Sequence, residues 1–156
     1  MQIFPNIKKN FGFGCMRLPM KDGNVDNELF CQMVDEFMEA GFNYFDTAHG
    51  YLGGRSETTL KTCLTSRYPR DRYIITNKLS SNHFEREEDI RPLFESQLEA
   101  VGVDYFYFYF MHAQDQNNFK KYKAARAYET AMELKREGKI RHLGISFHDR
   151  AYVLDN

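Results

Sequence analysis

The sequence is poor in the features that mark several large classes of protein. No uninterrupted apolar run approaches a membrane span, so a soluble chain is expected. The opening Met1-Gln2-Ile3-Phe4-Pro5 lacks a charged segment followed by a long apolar stretch, so no signal peptide is expected. No basic block stands out. The 21 Lys and Arg face 22 Asp and Glu, a formal charge of -1, and nothing advertises a nucleic-acid partner. Cysteine is scarce: Cys15, Cys31 and Cys63 are an odd set with wide spacing and no CxxC pair. That pattern argues against a zinc or cluster site and predicts free thiols in a reducing cytoplasm. Linkers and low-complexity segments are absent too, so residues 1–156 are read as one domain with a real core.

What is present is an alternation of apolar strands and amphipathic helices. Phe11 to Pro19 reads as a short strand running into a loop. Asp26 stands where a helix cap would be, ahead of Leu29, Phe30, Met33, Val34, Phe37 and Met38 on one helical face, and Gly41 closes that helix. Asn43 to Thr47 is a second strand, followed by a helix from Ser56 to about Ser66. Tyr73 to Lys78 is a third strand; the next helix opens on Glu87-Glu88-Asp89, acids its dipole favours, and ends at Gly102. Asp104 to His112, alternating Tyr and Phe, suits a strand packed on both faces. A helix is expected from about Tyr122 to Glu137, a fifth strand over Ile140 to Ser146, and the start of another helix from Asp149 to Asn156. Such alternation predicts an α/β fold with a parallel sheet and right-handed crossovers. Either an open doubly wound sheet or about five strands of a closed (β/α)8 barrel satisfies it.

Four of these strands end on residues able to do chemistry. Asp46 and Tyr51 follow the second, Lys78 ends the third, His112 the fourth and Ser146 the fifth. Singly, each has a plain structural reading: a cap, a packed loop aromatic, a solvated lysine, a rim histidine, a turn hydroxyl. Jointly they differ, because the rim of a βα array gathers strand ends in one place. A phenol is a weak acid at neutral pH, and a neighbouring ammonium favours its ionised form. A carboxylate holds such an ammonium charged and oriented, and a histidine nearby can hydrogen-bond a carbonyl oxygen. Together these groups suit protonation of a carbonyl as a hydride arrives. No strong nucleophile–base pair is visible, which makes acyl transfer less natural.

The wording of these strand ends resembles the aldo-keto reductase superfamily. Phe45-Asp46-Thr47-Ala48-His49-Gly50-Tyr51, then Gly54-Arg55-Ser56-Glu57, is similar to its signature. Thr76-Asn77-Lys78, Met111-His112 and Leu143-Gly144-Ile145-Ser146 match further motifs in the right order, and the likeness runs from about Phe11 to the end. The resemblance implies a (β/α)8 barrel, here an incomplete one, that reduces an aldehyde or ketone with NADPH, less often NADH. It implies a tetrad of Asp46, Tyr51, Lys78 and His112. Tyr51 would be the general acid, Lys78 its neighbour, Asp46 the partner of Lys78, and His112 the group orienting the carbonyl. Ser146 would contact the nicotinamide. Asp46 to Tyr51 and Ser146-Phe147-His148-Asp149 are typical of a bacterial branch whose longer members carry a ferredoxin-like iron–sulfur tail. That tail is absent here, so no cluster is assigned.

Two departures from the family pattern bear on function. Phe147 stands where many members have Asn, so only Ser146 is carried over. The chain also stops after its fifth strand, whereas most contacts to the cofactor's phosphates come from later strands in the family. An incomplete barrel would expose two sheet edges and an apolar inner face, which favours self-association. The partners expected are therefore a small carbonyl substrate and a second copy, with no nucleic acid and no membrane. The alternative is a non-catalytic fragment or interaction module in which the tetrad survives as inheritance. Other features read as structure: Gly12-Phe13-Gly14 is a strand, not a dinucleotide loop, with Cys15 and Met16 on the substrate side by analogy. Lys120, Lys121 and Lys123 make a solvated helix start, and His142 and His148 have no ligand partners at metal spacing.

Overall fold

Apolar spacing and caps place the elements in the computed structural model, which describes residues 4–155. Met1 to Ile3, where the expected leaderless start falls, and Asn156, the last residue of the final expected helix, lie outside the described residues. In chain order the elements are β1 (Gly12–Gly14), β2 (Met20–Lys21), β3 (Asn24–Val25), α1 (Asn27–Glu39), β4 (Tyr44–Asp46) and α2 (Arg55–Leu60). There follow β5 (Ile74–Leu79), α3 (Glu87–Val101), β6 (Phe106–Gln114), α4 (Gln116–Ala124), α5 (Ala127–Arg136), β7 (Ile140–Phe147) and α6 (Ala151–Leu154). The Asp26 carboxylate accepts the Leu29 N–H at 3.0 Å, as a helix cap should, and α1 buries Phe30, Val34 and Met38.

Five strands form one parallel sheet in the order β1-β4-β5-β6-β7. Sequential order is what separates a barrel winding from a doubly wound sheet. With right-handed crossovers and no reversal of order, every helix falls on the same side. The side chains agree. Phe13 and Phe45 meet Phe37 of α1, and Tyr109 meets Phe94 of α3. The opposite, concave face carries Tyr44, Thr76, Phe108 and Phe110, with the Thr76 hydroxyl donating to the Tyr44 oxygen at 2.6 Å. This is the arrangement of a (β/α)8 barrel over five strands. Gly12 and Gly144 are needed on that face because aromatic rings lie on them. A Cβ at Gly12 would sit 2.3 Å from the Tyr44 ring, and one at Gly144 would sit 2.9 Å from the Phe110 ring.

The structure departs from the sequence expectations at four places. The concave face is not bare at its lower end: Phe4 packs edge-on against Phe108 and His142 at 4.9 and 5.0 Å. The arm behind it is tied down, with Asn43 bonding the Lys8 N–H at 3.0 Å and the Asn6 carbonyl at 2.9 Å. The expected helix over Tyr122 to Glu137 is instead two helices, broken where Arg126 has φ 50°. Asp115 starts the first one early by capping Asn117 and Asn118 at 2.8 and 2.7 Å. The break has a packing reason. In a straight helix Tyr122 and Tyr128 would point about 120° apart. Here both turn to strand ends, Tyr122 donating to the Leu79 carbonyl and Tyr128 to Gln114 Oε1 at 2.8 Å. The helix expected from Ser56 to Ser66 becomes α2 followed by a π-helical turn at Lys61–Thr65.

The fourth departure concerns the thiols. Cys31 of α1 and Cys63 of that π-helical turn form a disulfide across 32 residues, and only Cys15 is free. The expectation of three free thiols is corrected. Pairing depends on which elements pack together, and an odd, widely spaced set gives no sign of it in sequence. No helix among the described residues is long and apolar enough to cross a membrane.

Candidate active site

Parallel strands in register deliver their ends to one rim. Asp46 pairs across to Thr76, and Lys78 to Phe110, so Asp46, Lys78 and His112 lie on the concave face at its carboxyl end. The Lys78 ammonium donates to Asp46 Oδ1 at 2.6 Å and to the Thr47 carbonyl at 2.8 Å. It lies 3.5 Å from the Tyr51 hydroxyl and 5.0 Å from the centre of the Tyr51 ring. The lysine side chain is 6% exposed and the aspartate 29%, so the ammonium is desolvated while its partner still reaches water. A buried cation of this kind is tolerable only with such partners.

Tyr51 arrives from a tight turn beyond β4. Its N–H bonds the Ala48 carbonyl at 3.0 Å, and Leu52 and Gly53 both adopt positive φ, which swings the chain back into α2. His112 faces it, the two rings 5.9 Å apart and nearly perpendicular. Burial, then the Lys78 charge, then His148 push the His112 imidazole down to about 4, so the ring is neutral at physiological pH. Its Nδ1 is 2.6 Å from Ser80 Oγ. The Ser80 hydroxyl can donate to Nδ1, the arrangement that leaves the ring proton on Nε2, facing away from Ser80. Gly50, Tyr51, Ser80, Asn82, His112 and Ala113 line a shallow cavity of about 280 Å3 over these groups.

The sequence-predicted residues are thus placed as follows. Asp46, Tyr51, Lys78 and His112 converge. Ser146 lies beside His112 on the next strand, where its Oγ accepts the Ala113 N–H at 2.7 Å and keeps its own proton to donate. Ala113 has φ 52°, and a register shift in the β6–β7 pairing falls between Met111 and Gln114. Cys15 is fully buried in the core, where burial pushes its thiol up, and Met16 is 51% exposed, so the expectation that both line the substrate side fails for Cys15. Sequence reasoning missed Ser80, whose role needs the fold to bring it to His112. It also missed the work of Glu57 and Asn77, although both stand within the quoted motifs.

Comparison with known proteins decides the family. The model of the aldo/keto reductase family matches residues 10–155. The chain belongs to the aldo/keto reductase family. It is 27% identical over 152 residues to the NADH-specific methylglyoxal reductase of Escherichia coli, covering 86% of this chain and 46% of that protein. Among solved structures it is similar to the aldo-keto reductase AKR11C1 of Bacillus halodurans in its holo form. That likeness has 29% identity and a TM-score of 0.72, over 93% of this chain and 48% of the other. The aldo-keto reductase of Klebsiella pneumoniae in complex with NADPH shares the fold at 20% identity and a TM-score of 0.74, over 92% and 47% of the two chains. This aldo/keto reductase chain spans less than half the length of these relatives.

Proposed function

We propose that this rim is the proton-donating side of a carbonyl reductase site, with Tyr51 as general acid toward an aldehyde or ketone oxygen and NADPH, less often NADH, as the cofactor. One observation carries the reading. The Lys78 ammonium is buried between Asp46 and the Tyr51 hydroxyl, at 2.6 and 3.5 Å, opposite a neutral His112. When the hydroxyl gives up its proton, the oxygen left behind faces that largely desolvated ammonium, where the attraction is stronger than in water. In the tautomer that accepts from Ser80, His112 donates from Nε2 to the same carbonyl oxygen and orients it. Asp46 holds the lysine ammonium in place by its 2.6 Å contact.

The groups present fit the nicotinamide end of such a cofactor. Ser146 keeps a free donor proton beside the cavity over Tyr51 and His112, and the cavity floor is held by strand ends. The cofactor supplies the hydride when bound. Ser146 would hold its amide, and Phe147, in place of the family's Asn, adds no second polar contact. A cytoplasmic placement belongs to the same proposal, and the Cys31–Cys63 pair removes one of its supports.

A second reading, a non-catalytic module, is favoured by the edges of the sheet. Among the described residues β1 and β7 each pair on one side only. Titration of the purified chain with NADPH, followed by nicotinamide fluorescence, separates the two. Saturable binding weakened by Ser146→Ala supports the reductase reading; no binding up to millimolar cofactor favours the module.

A further inference from the structure

Beneath the rim lies a set of polar groups that the reaction does not use directly. Glu57 in α2 is 1% exposed, and a carboxylate taken so far out of water persists only where donors replace the water. Three do. Asn77 Nδ2 donates to Oε1 at 2.7 Å, Gln97 Nε2 approaches the same oxygen at 3.4 Å, and His49 Nδ1 lies 2.8 Å from Oε2. Asn77 and Gln97 are fully buried as well, and the Tyr109 hydroxyl closes the chain by donating to Gln97 Oε1 at 2.5 Å.

The donors are not scattered. His49 stands two residues before Tyr51, at the head of the turn that presents the phenol. Asn77 precedes Lys78 and accepts the Lys78 N–H on Oδ1 at 2.8 Å. Gln97 bonds the Lys78 carbonyl at 3.0 Å. One oxygen of Glu57 thus holds the Tyr51 turn, and the other holds both sides of the Lys78 peptide. The two reacting side chains hang from a single buried carboxylate.

We propose that Glu57 is a positioning residue that fixes the spacing between the Tyr51 hydroxyl and the Lys78 ammonium, through His49 on one side and through Asn77 and Gln97 on the other. The inference rests on the reading of Tyr51 and Lys78 given above. It reaches further, because it makes the phenol's position depend on the state of His49. Two titratable groups face the His49 ring. Glu57 comes from α2, and His83 from the turn after β5, its ring 4.7 Å away and edge-on. The hydrogen bond to Glu57 raises the proton affinity of His49, while burial and then the His49 charge lower that of His83. The pair therefore takes its first proton on His49, where it strengthens the grip of Glu57 on the Tyr51 turn.

The test is side-chain NMR on the full 156-residue chain, following the His49, Tyr51 and Lys78 signals against pH. The expected result is a Tyr51 ring shift that tracks the His49 titration with the same midpoint, above the ordinary imidazole value. In E57Q the His49 midpoint should fall and the Tyr51 response disappear. Should E57Q fail to fold, His49→Asn carries the test, because that side chain is 26% exposed and its loss leaves the core intact. It should abolish the Tyr51 response while the amide spectrum of β6 and β7 stays unchanged. Where the chain turns over carbonyls, His49→Asn should lower kcat about tenfold, with KM much less affected. A Tyr51 signal indifferent to His49, or a response that survives His49→Asn, overturns the proposal. The NMR arms need no cofactor, so a chain that binds no NADPH counts against the reductase reading and leaves this inference to be judged on its own signals.

Discussion

At the scale of single residues the site is governed by which charged partner reaches water. Lys78 is buried and Asp46 is not, so the two halves of their ion pair are not equivalent. Asp46→Ala leaves a buried ammonium with no anionic partner, only the Thr47 carbonyl and the more distant Tyr51 hydroxyl, and should cost about 2–4 kcal/mol. Lys78→Met keeps the volume, leaves a carboxylate that solvent can reach, and should cost less than about 1.5 kcal/mol. Urea unfolding of the two variants checks the order; equal losses would contradict it. His112 sets a pH dependence whose sign can be worked out. Its folded value, about 4, lies below that of the unfolded chain, so the unfolded state binds the extra proton between the two. The stability due to the neutral ring is whole above about pH 6.5 and is lost as pH falls toward 4. An imidazole NMR titration should place its midpoint near 4, and a midpoint near 6.5 would contradict the burial argument. The four rim residues were legible in the sequence because strand ends are punctuated by polarity. Ser80 was not, since its partner lies 32 residues away on the next strand.

At the scale of elements the structure is fixed by close contacts between them. Gly12 and Gly144 exist so that the Tyr44 and Phe110 rings can lie flat against neighbouring strands. Gly144→Ala pushes a Cβ to 2.9 Å from the Phe110 ring and should cost about 1–3 kcal/mol, read as a drop in thermal midpoint. An unchanged midpoint would show that the ring moves freely. The Cys31–Cys63 bridge ties α1 to the turn after α2 and closes a loop of 32 residues. In the chain-entropy account that closure contributes about 3–4 kcal/mol, so reduction or Cys63→Ser should lower the unfolding midpoint markedly. Thiol labelling of the denatured, unreduced chain should find one free cysteine, Cys15; three would contradict the pairing. Helix caps such as Asp26 and the apolar faces were readable from local order. The bridge was not, nor the break at Arg126, where two tyrosines seek strand ends that sequence spacing does not place beside them.

At the scale of the whole molecule, strand order decides the meaning of the rest. Five sequential parallel strands bring their ends to one rim and leave a concave face whose lower end is covered by Phe4. That rim is why residues between 46 and 146 meet at all. The βα alternation announced a parallel sheet with helical crossovers but left barrel and doubly wound orders open, and the plug formed by the amino-terminal arm has no periodicity to announce it. The central claim is that this rim donates a proton to a carbonyl through Tyr51. It is tested most directly by following NADPH oxidation with small aldehydes for the native chain and for Tyr51→Phe, with circular dichroism to show both are folded. The account predicts measurable turnover in the native chain and a loss of about a hundredfold or more in the variant. Turnover that is the same in both would contradict it.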